Sequence, residues 1–80
     1  MIIVVERAAA KDIIGISEPF KNQIKKKIAG LQNYPNLTNI KKLKNYSPTH
    51  RLRVGNYRVL FDVEDDKIII GRIKHRKEAY

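Results

Sequence analysis

Arg51 and Arg53 alternate along one strand-like run, and Arg58 follows them across a Gly55-Asn56 pair. Arg72, Lys74, His75 and Arg76 then lead into a short basic tail ending in Tyr80. Guanidinium groups stay charged at any physiological pH and fork onto phosphate oxygens, and aromatic rings stack on bases. Such a set suits a strongly anionic ligand, with RNA the first candidate. It also suits metal-free RNA cleavage, in which a 2′-hydroxyl attacks its own phosphate in line. That reaction needs cations to hold the charge of the phosphorane, groups to take and give a proton, and enforced geometry. Arginine meets the first need but cannot serve as a base near neutral pH. The proton-transfer candidates are His50 and His75, ordinarily near pKa 6.5, and Tyr80, ordinarily near 10.

The elements that must carry these residues can be read along the chain. Ile2 to Val5 is a β-branched run that reads as a buried strand. Ala8 to Ile14 is Ala-rich and free of breakers, with Gly15 placed to end a short helix. Ser17 is an N-cap and Pro19 a first-turn residue for a second helix. Its apolar stripe is Phe20, Ile24, Ile28 and Leu31, which is expected to lie in the core. This helix fades near Asn33, and Tyr34-Pro35-Asn36 breaks the pattern. Residues 36–49 read mostly as loop.

His50–Val54 and Tyr57–Glu64 alternate around Gly55-Asn56, a hairpin signal. A tight turn sets Arg53 opposite Arg58 and Arg51 opposite Leu60, on one face. Leu52, Val54, Tyr57, Val59, Phe61 and Val63 then form the core face. For the third strand, a three-residue loop at 65–67 keeps Arg72 and Lys74 on the arginine face, because an unpaired buried arginine is costly. That register sends Ile69 and Ile73 inward. It leaves Leu60, Ile68 and Ile70 outside, where they can line a partner groove. Arg72 has a second possible use, an ion pair with Asp62 or Glu64. The fold class is therefore α+β: an N-terminal strand, two helices, then a three-stranded antiparallel meander, with the helices on one face of a twisted sheet.

Composition bounds the class. Eighty residues make one small domain, 1–80, with a lean core. Lys and Arg number 17 against 8 Asp and Glu, so 17 − 8 gives a net charge of +9 and a general attraction to polyanions. There are no cysteines, which removes disulfides and thiolate metal sites. No apolar run approaches the roughly 18 residues of a membrane span, and the start lacks a signal-peptide pattern. A cytoplasmic protein is expected. No metal-ligand cluster, nucleophile triad or phosphate-cradling glycine loop is visible, so no metal or other cofactor is expected.

Arg51-Leu52-Arg53-Val54-Gly55-Asn56-Tyr57-Arg58-Val59, Arg72-Ile73 and His75-Arg76-Lys77-Glu78-Ala79-Tyr80 resemble the hairpin and C-terminal motifs of the RelE/ParE superfamily of toxins. The likeness leans to the RelE branch. Lys74 departs from the pattern, standing where the family usually has glycine, and Gly15-Ile16-Ser17-Glu18 is not a close match. The resemblance implies a RelE-like fold in a bacterial or archaeal cytoplasm. It also implies cleavage of mRNA in the ribosomal A site and silencing by a cognate acidic antitoxin. By the same resemblance Arg51, Arg53 and Arg58 belong to the catalytic face, and Arg76 and Tyr80 to the C-terminal active-site segment.

On that basis Arg58 and Arg76 clamp the scissile phosphate, and Arg51 and Arg53 neutralise and position it. Arg72 and Lys74 add RNA contacts, Tyr80 stacks on a base or shares proton transfer, and His75 is the candidate acid. The antitoxin covers the arginine face, or docks on the Leu60, Ile68 and Ile70 strip. Simpler readings stand beside these. Strand arginines are often only solvated, His50 reads better as a strand-end residue than a catalyst, and Lys25 to Lys27 with Lys41, Lys42 and Lys44 read as solvated faces. The alternative functions are a ParE-like inhibitor of DNA gyrase and a catalytically inactive RNA-binding module.

Overall fold

The computed structural model describes residues 1–34, 40–43 and 48–79, Ala79 by its backbone alone. Its five strands are β1 (Ile2–Val5), β2 (Ile40–Lys42), β3 (His50–Val54), β4 (Tyr57–Glu64) and β5 (Lys67–His75). They form one sheet in the order β1-β5-β4-β3-β2. Helix α1 (Arg7–Ile14) follows β1, α2 (Phe20–Gly30) ends in a 3-10 turn at Leu31–Asn33, and α3 (Arg76–Ala79) continues directly from β5. The α+β arrangement and the order of the expected elements hold. The structure adds β2, within the segment read as loop, and the short α3. Among the described residues no helix is long and apolar enough to cross a membrane.

The hairpin carries the most consequential register. Val54 pairs with Tyr57, Arg53 with Arg58 and Arg51 with Leu60, as the two-residue turn requires. Gly55 takes φ 57° at the first turn position, a conformation glycine adopts without steric cost. Alternation then buries Leu52, Val54, Val59 and Phe61 on one face and sets the arginines on the other.

The β4–β5 connection differs from expectation. Glu64 pairs with Lys67, so the turn is the two residues Asp65-Asp66, with Asp65 at φ 53°. This phase opposes Phe61 to Ile70 and Val63 to Ile68, and both isoleucines are fully buried. They therefore form no outer strip with Leu60, and Ile69 faces the other side. The register then slips between Phe61 and Leu60. Ile70 pairs with Phe61 and Arg72 with Leu60, leaving Gly71 as the extra residue of a bulge. Beyond the bulge Ile73 enters the core, while Arg72 and Lys74 point with the arginines. The bulge satisfies both demands, inward isoleucines before it and outward cations after it.

Three further expectations are corrected. β1 is an edge strand in parallel with β5, and Ile2, Val4 and Val5 remain 39–52% exposed. Phe20 is 45% exposed and tilts against Tyr57 at 6.0 Å, so the buried stripe of α2 is Ile24 and Ile28, continued by Leu31. Ser17 gives no side-chain cap. The early N–H of Asn22 donates instead to Glu18 Oε1 at 2.9 Å. Ala9, Ile16, Ile24, Ile28 and Leu31 pack against the apolar face of β3, β4 and β5.

Candidate nucleic-acid interface

The sheet places cations in two cross-strand rows. Arg53, Arg58 and Lys74 lie directly opposite one another across β3, β4 and β5. One two-residue step along, Arg51, Leu60 and Arg72 form the second row. Strand β2 extends that row, because Lys41 pairs with Arg51. Directly opposed side chains share a face and stand about 5 Å apart at Cβ, where like charges destabilise the sheet. A face built this way gains stability when an anion settles on it.

Arg58 is held most firmly. It is 8% exposed, and its Nη1 donates to the carbonyls of Gly55 at 3.0 Å and Tyr57 at 2.9 Å. Arg76 opens α3, and its backbone N–H donates to Asn56 O at 2.7 Å. The two residues expected to clamp a phosphate are thus both anchored to the same two-residue turn. The side chain of Arg76 is exposed. Arg53 is exposed, and Arg51 and Lys74 are half-buried.

Arg72 is engaged by a residue the sequence reading passed over. Its Nε and Nη2 donate to Asp12 of α1 at 2.8 and 3.1 Å, and the N–H of Ile73 donates to the same carboxylate at 2.9 Å. The Arg72 hydrogen bonds lower the pKa of Asp12 below the usual carboxylate value. Burial opposes this and the Ile73 N–H adds to it. Asp62 serves elsewhere, accepting the backbone N–H of Thr49 at 2.9 Å and its hydroxyl at 3.2 Å. A lone carboxylate on the stripe of Ala9, Ile13 and Ile16 was the available signal for Asp12, since an acid on an apolar stripe needs a hydrogen-bonding partner.

The two histidines differ. His50 is 5% exposed, stacks on Phe61 at 5.2 Å, and meets Tyr34 Oη through Nε2 and Thr49 Oγ1 through Nδ1. Burial lowers its pKa from 6.5, so it is neutral at pH 7 and structural. His75 alternates to the Tyr57 side of β5, edge-on to that ring at 5.5 Å, and its Nδ1 accepts the N–H of Lys77 at 3.3 Å. An open cleft of about 350 Å³ lies here, lined among others by Lys11, Asp12, Tyr57, Arg72 and His75. Tyr80 lies outside the described residues, as does Lys44. Among the described residues no group of three or more His, Asp or Glu side chains is placed to hold a metal ion.

Residues 3–80 match the family model described as the ParE toxin of type II toxin–antitoxin systems, parDE. A curated protein of Methanocaldococcus jannaschii, Toxin RelE3, is 36% identical over 84 residues, spanning 100% of this chain and 96% of that one. A chain of the RelB–RelE antitoxin–toxin complex from Methanococcus jannaschii superposes with a TM-score of 0.80 at 36% identity, covering 96% of this chain and 94% of its own. The isolated E. coli RelE toxin gives 0.76 at 17% identity, with 92% of this chain and 82% of that one covered, a likeness of fold alone.

Proposed function

Because the chain belongs to the ParE toxin family within the RelE/ParE superfamily, and is a toxin of a type II toxin–antitoxin system, we propose that it acts as an mRNA endoribonuclease on the ribosome. The observation that carries this reading is the shared anchoring of Arg58 and Arg76 on the Gly55-Asn56 turn, at the end of the Arg53–Arg58–Lys74 row. A phosphate seated there meets the Arg58 guanidinium already fixed in place, beside an Arg76 whose backbone is tied to the same turn, so Arg58 needs little reorganisation as charge develops.

In the reaction the 2′-oxygen of the nucleotide before the cut attacks the adjacent phosphorus. The new 2′-O–P bond forms as the P–O5′ bond breaks, leaving a 2′,3′-cyclic phosphate and a 5′-hydroxyl. Arg58 and Arg76 take the charge of the phosphorane. Arg51 and Arg53 hold the flanking backbone from β3, with Arg72 and Lys74 at the β5 ends of the two rows. Tyr80 stacks on a base or shares proton transfer. His75, the other expected acid, faces the Tyr57 side of β5, away from Arg58 and Lys74, and is given no step. No step is assigned to His50.

The partner is a cognate antitoxin, as in the RelB–RelE complex of the similar toxin, and the net charge of +9 calls for an acidic one. It covers the arginine face. The strip of Leu60, Ile68 and Ile70 offers no docking groove, since two of its three members are in the core.

A second reading is inhibition of DNA gyrase, the activity that the resemblance implies for the ParE branch, whose name the matched family carries. The two separate cleanly. The purified chain is added to ribosomes carrying a defined mRNA, new 5′ ends are mapped, and gyrase supercoiling is assayed in parallel. Cuts within the A-site codon with gyrase untouched support the nuclease. Gyrase inhibition without cuts overturns it.

A further inference from the structure

Resting on the reading that the arginine face holds RNA, we infer that this face extends onto β2, where Lys41 is a phosphate contact for nucleotides flanking the cut. Three observations support it. Lys41 pairs with Arg51, so its side chain shares the arginine face and lengthens the row that runs through Leu60 to Arg72. β2 is the outermost strand on that side of the sheet, so the row ends in an exposed lysine at the rim. The neighbouring Lys42 pairs with buried His50 and therefore points to the opposite face.

The partner class follows from the pattern. A single strand crossing the sheet presents its phosphates one after another, and cations one strand spacing apart, about 4.8 Å, can follow it with long side chains. Lys41 lies three strands from β5, beyond the Gly55-Asn56 turn where the cut is made. It serves binding and register rather than chemistry. Lysine fits this role, since a rim contact needs charge and reach without bidentate geometry.

The adjacent lysines give an internal control: equal charge, both exposed, opposite faces. The test compares wild type, Lys41→Ala and Lys42→Ala in binding a single-stranded RNA made uncleavable by 2′-deoxy substitution, measured by fluorescence anisotropy over a salt series. Lys41→Ala is expected to weaken binding about three- to tenfold at low salt and to reduce the slope of log K against log salt by about 0.7. Lys42→Ala is expected to match wild type. Equal behaviour of all three variants, with wild type binding normally, overturns the inference and leaves the nuclease reading standing. Equal losses in both lysine variants also overturn it, since they show a diffuse charge effect. Unchanged RNA binding in Lys41→Ala with a weakened antitoxin complex overturns it in favour of a protein partner. Absence of salt-dependent RNA binding by wild type overturns both this inference and the RNA reading beneath it.

Discussion

One sheet presents two faces governed by opposite rules. On the apolar face Leu52, Val59, Phe61, Ile68, Ile70 and Ile73 interlock at 0–4% exposure. Each contact there lowers the free energy of the fold. On the other face Arg53 faces Arg58 and Arg58 faces Lys74, and these like charges oppose folding. The same alternation builds both, since each inward residue of β3 and β4 is followed by an outward one. The lean core supports a face whose opposed cations an anion would relieve. Function and stability are thus divided by the pleat, one residue apart along the strand.

Breaking the apolar face has the largest effect. Phe61→Ala removes a fully buried ring that stacks with His50 and meets Tyr34, and it is expected to cost about 3–5 kcal/mol. In a domain this small that loss approaches the whole stability, and thermal melts should show little folded protein at 37 °C. A smaller effect comes from His50. Its folded pKa is depressed, so the unfolded state takes up a proton first as pH falls below 6.5. Its contribution is therefore present above that pH and declines as pH drops toward the lowered value. Urea melts across this window should show stability falling on acidification, with a flatter profile for His50→Gln.

The smallest effect has the opposite sign. Arg53→Gln removes an exposed cation facing Arg58 and is expected to leave stability unchanged or raise it by about 0.2–1 kcal/mol. Its RNA affinity should fall at the same time, and melts paired with anisotropy would show both. A substitution that stabilises the fold while weakening the ligand marks a residue kept for binding.

What the sequence disclosed follows the same division. The β3–β4 register was legible because two alternating runs met across a two-residue Gly-Asn turn, which leaves one pairing. The phase of β5 was not, because Ile68, Ile69 and Ile70 offer no alternation to read. The bulge at Gly71 then reversed the phase before Arg72. The placement of Arg72 and Lys74 was anticipated and that of Ile68 and Ile70 was not, since the argument from arginine desolvation reaches only the residues after the bulge. β2 escaped notice because three residues are too few for a periodicity, and its partner is set by tertiary pairing. A β-branched run such as Ile2–Val5 looks alike at the edge and at the centre of a sheet. The Asp12–Arg72 pair joins residues sixty positions apart, which no local pattern reveals. Of the candidate site itself, the common face of the arginines was visible in their spacing. Their common anchor on the Gly55-Asn56 turn was visible only in the fold.

The account's central claim is that the cationic face, and not the fold at large, cuts RNA. The most direct measurement is the single-turnover rate of A-site cleavage for wild type, Arg58→Ala and the core-face variant His50→Gln. Each is assayed below its own melting temperature, with folding verified by circular dichroism. The account predicts a loss on the order of 10²–10³-fold in Arg58→Ala, the scale of removing one preorganised donor from a developing charge, and a near wild-type rate in folded His50→Gln. Equal rates in Arg58→Ala and wild type, or equal losses in both variants, would contradict it.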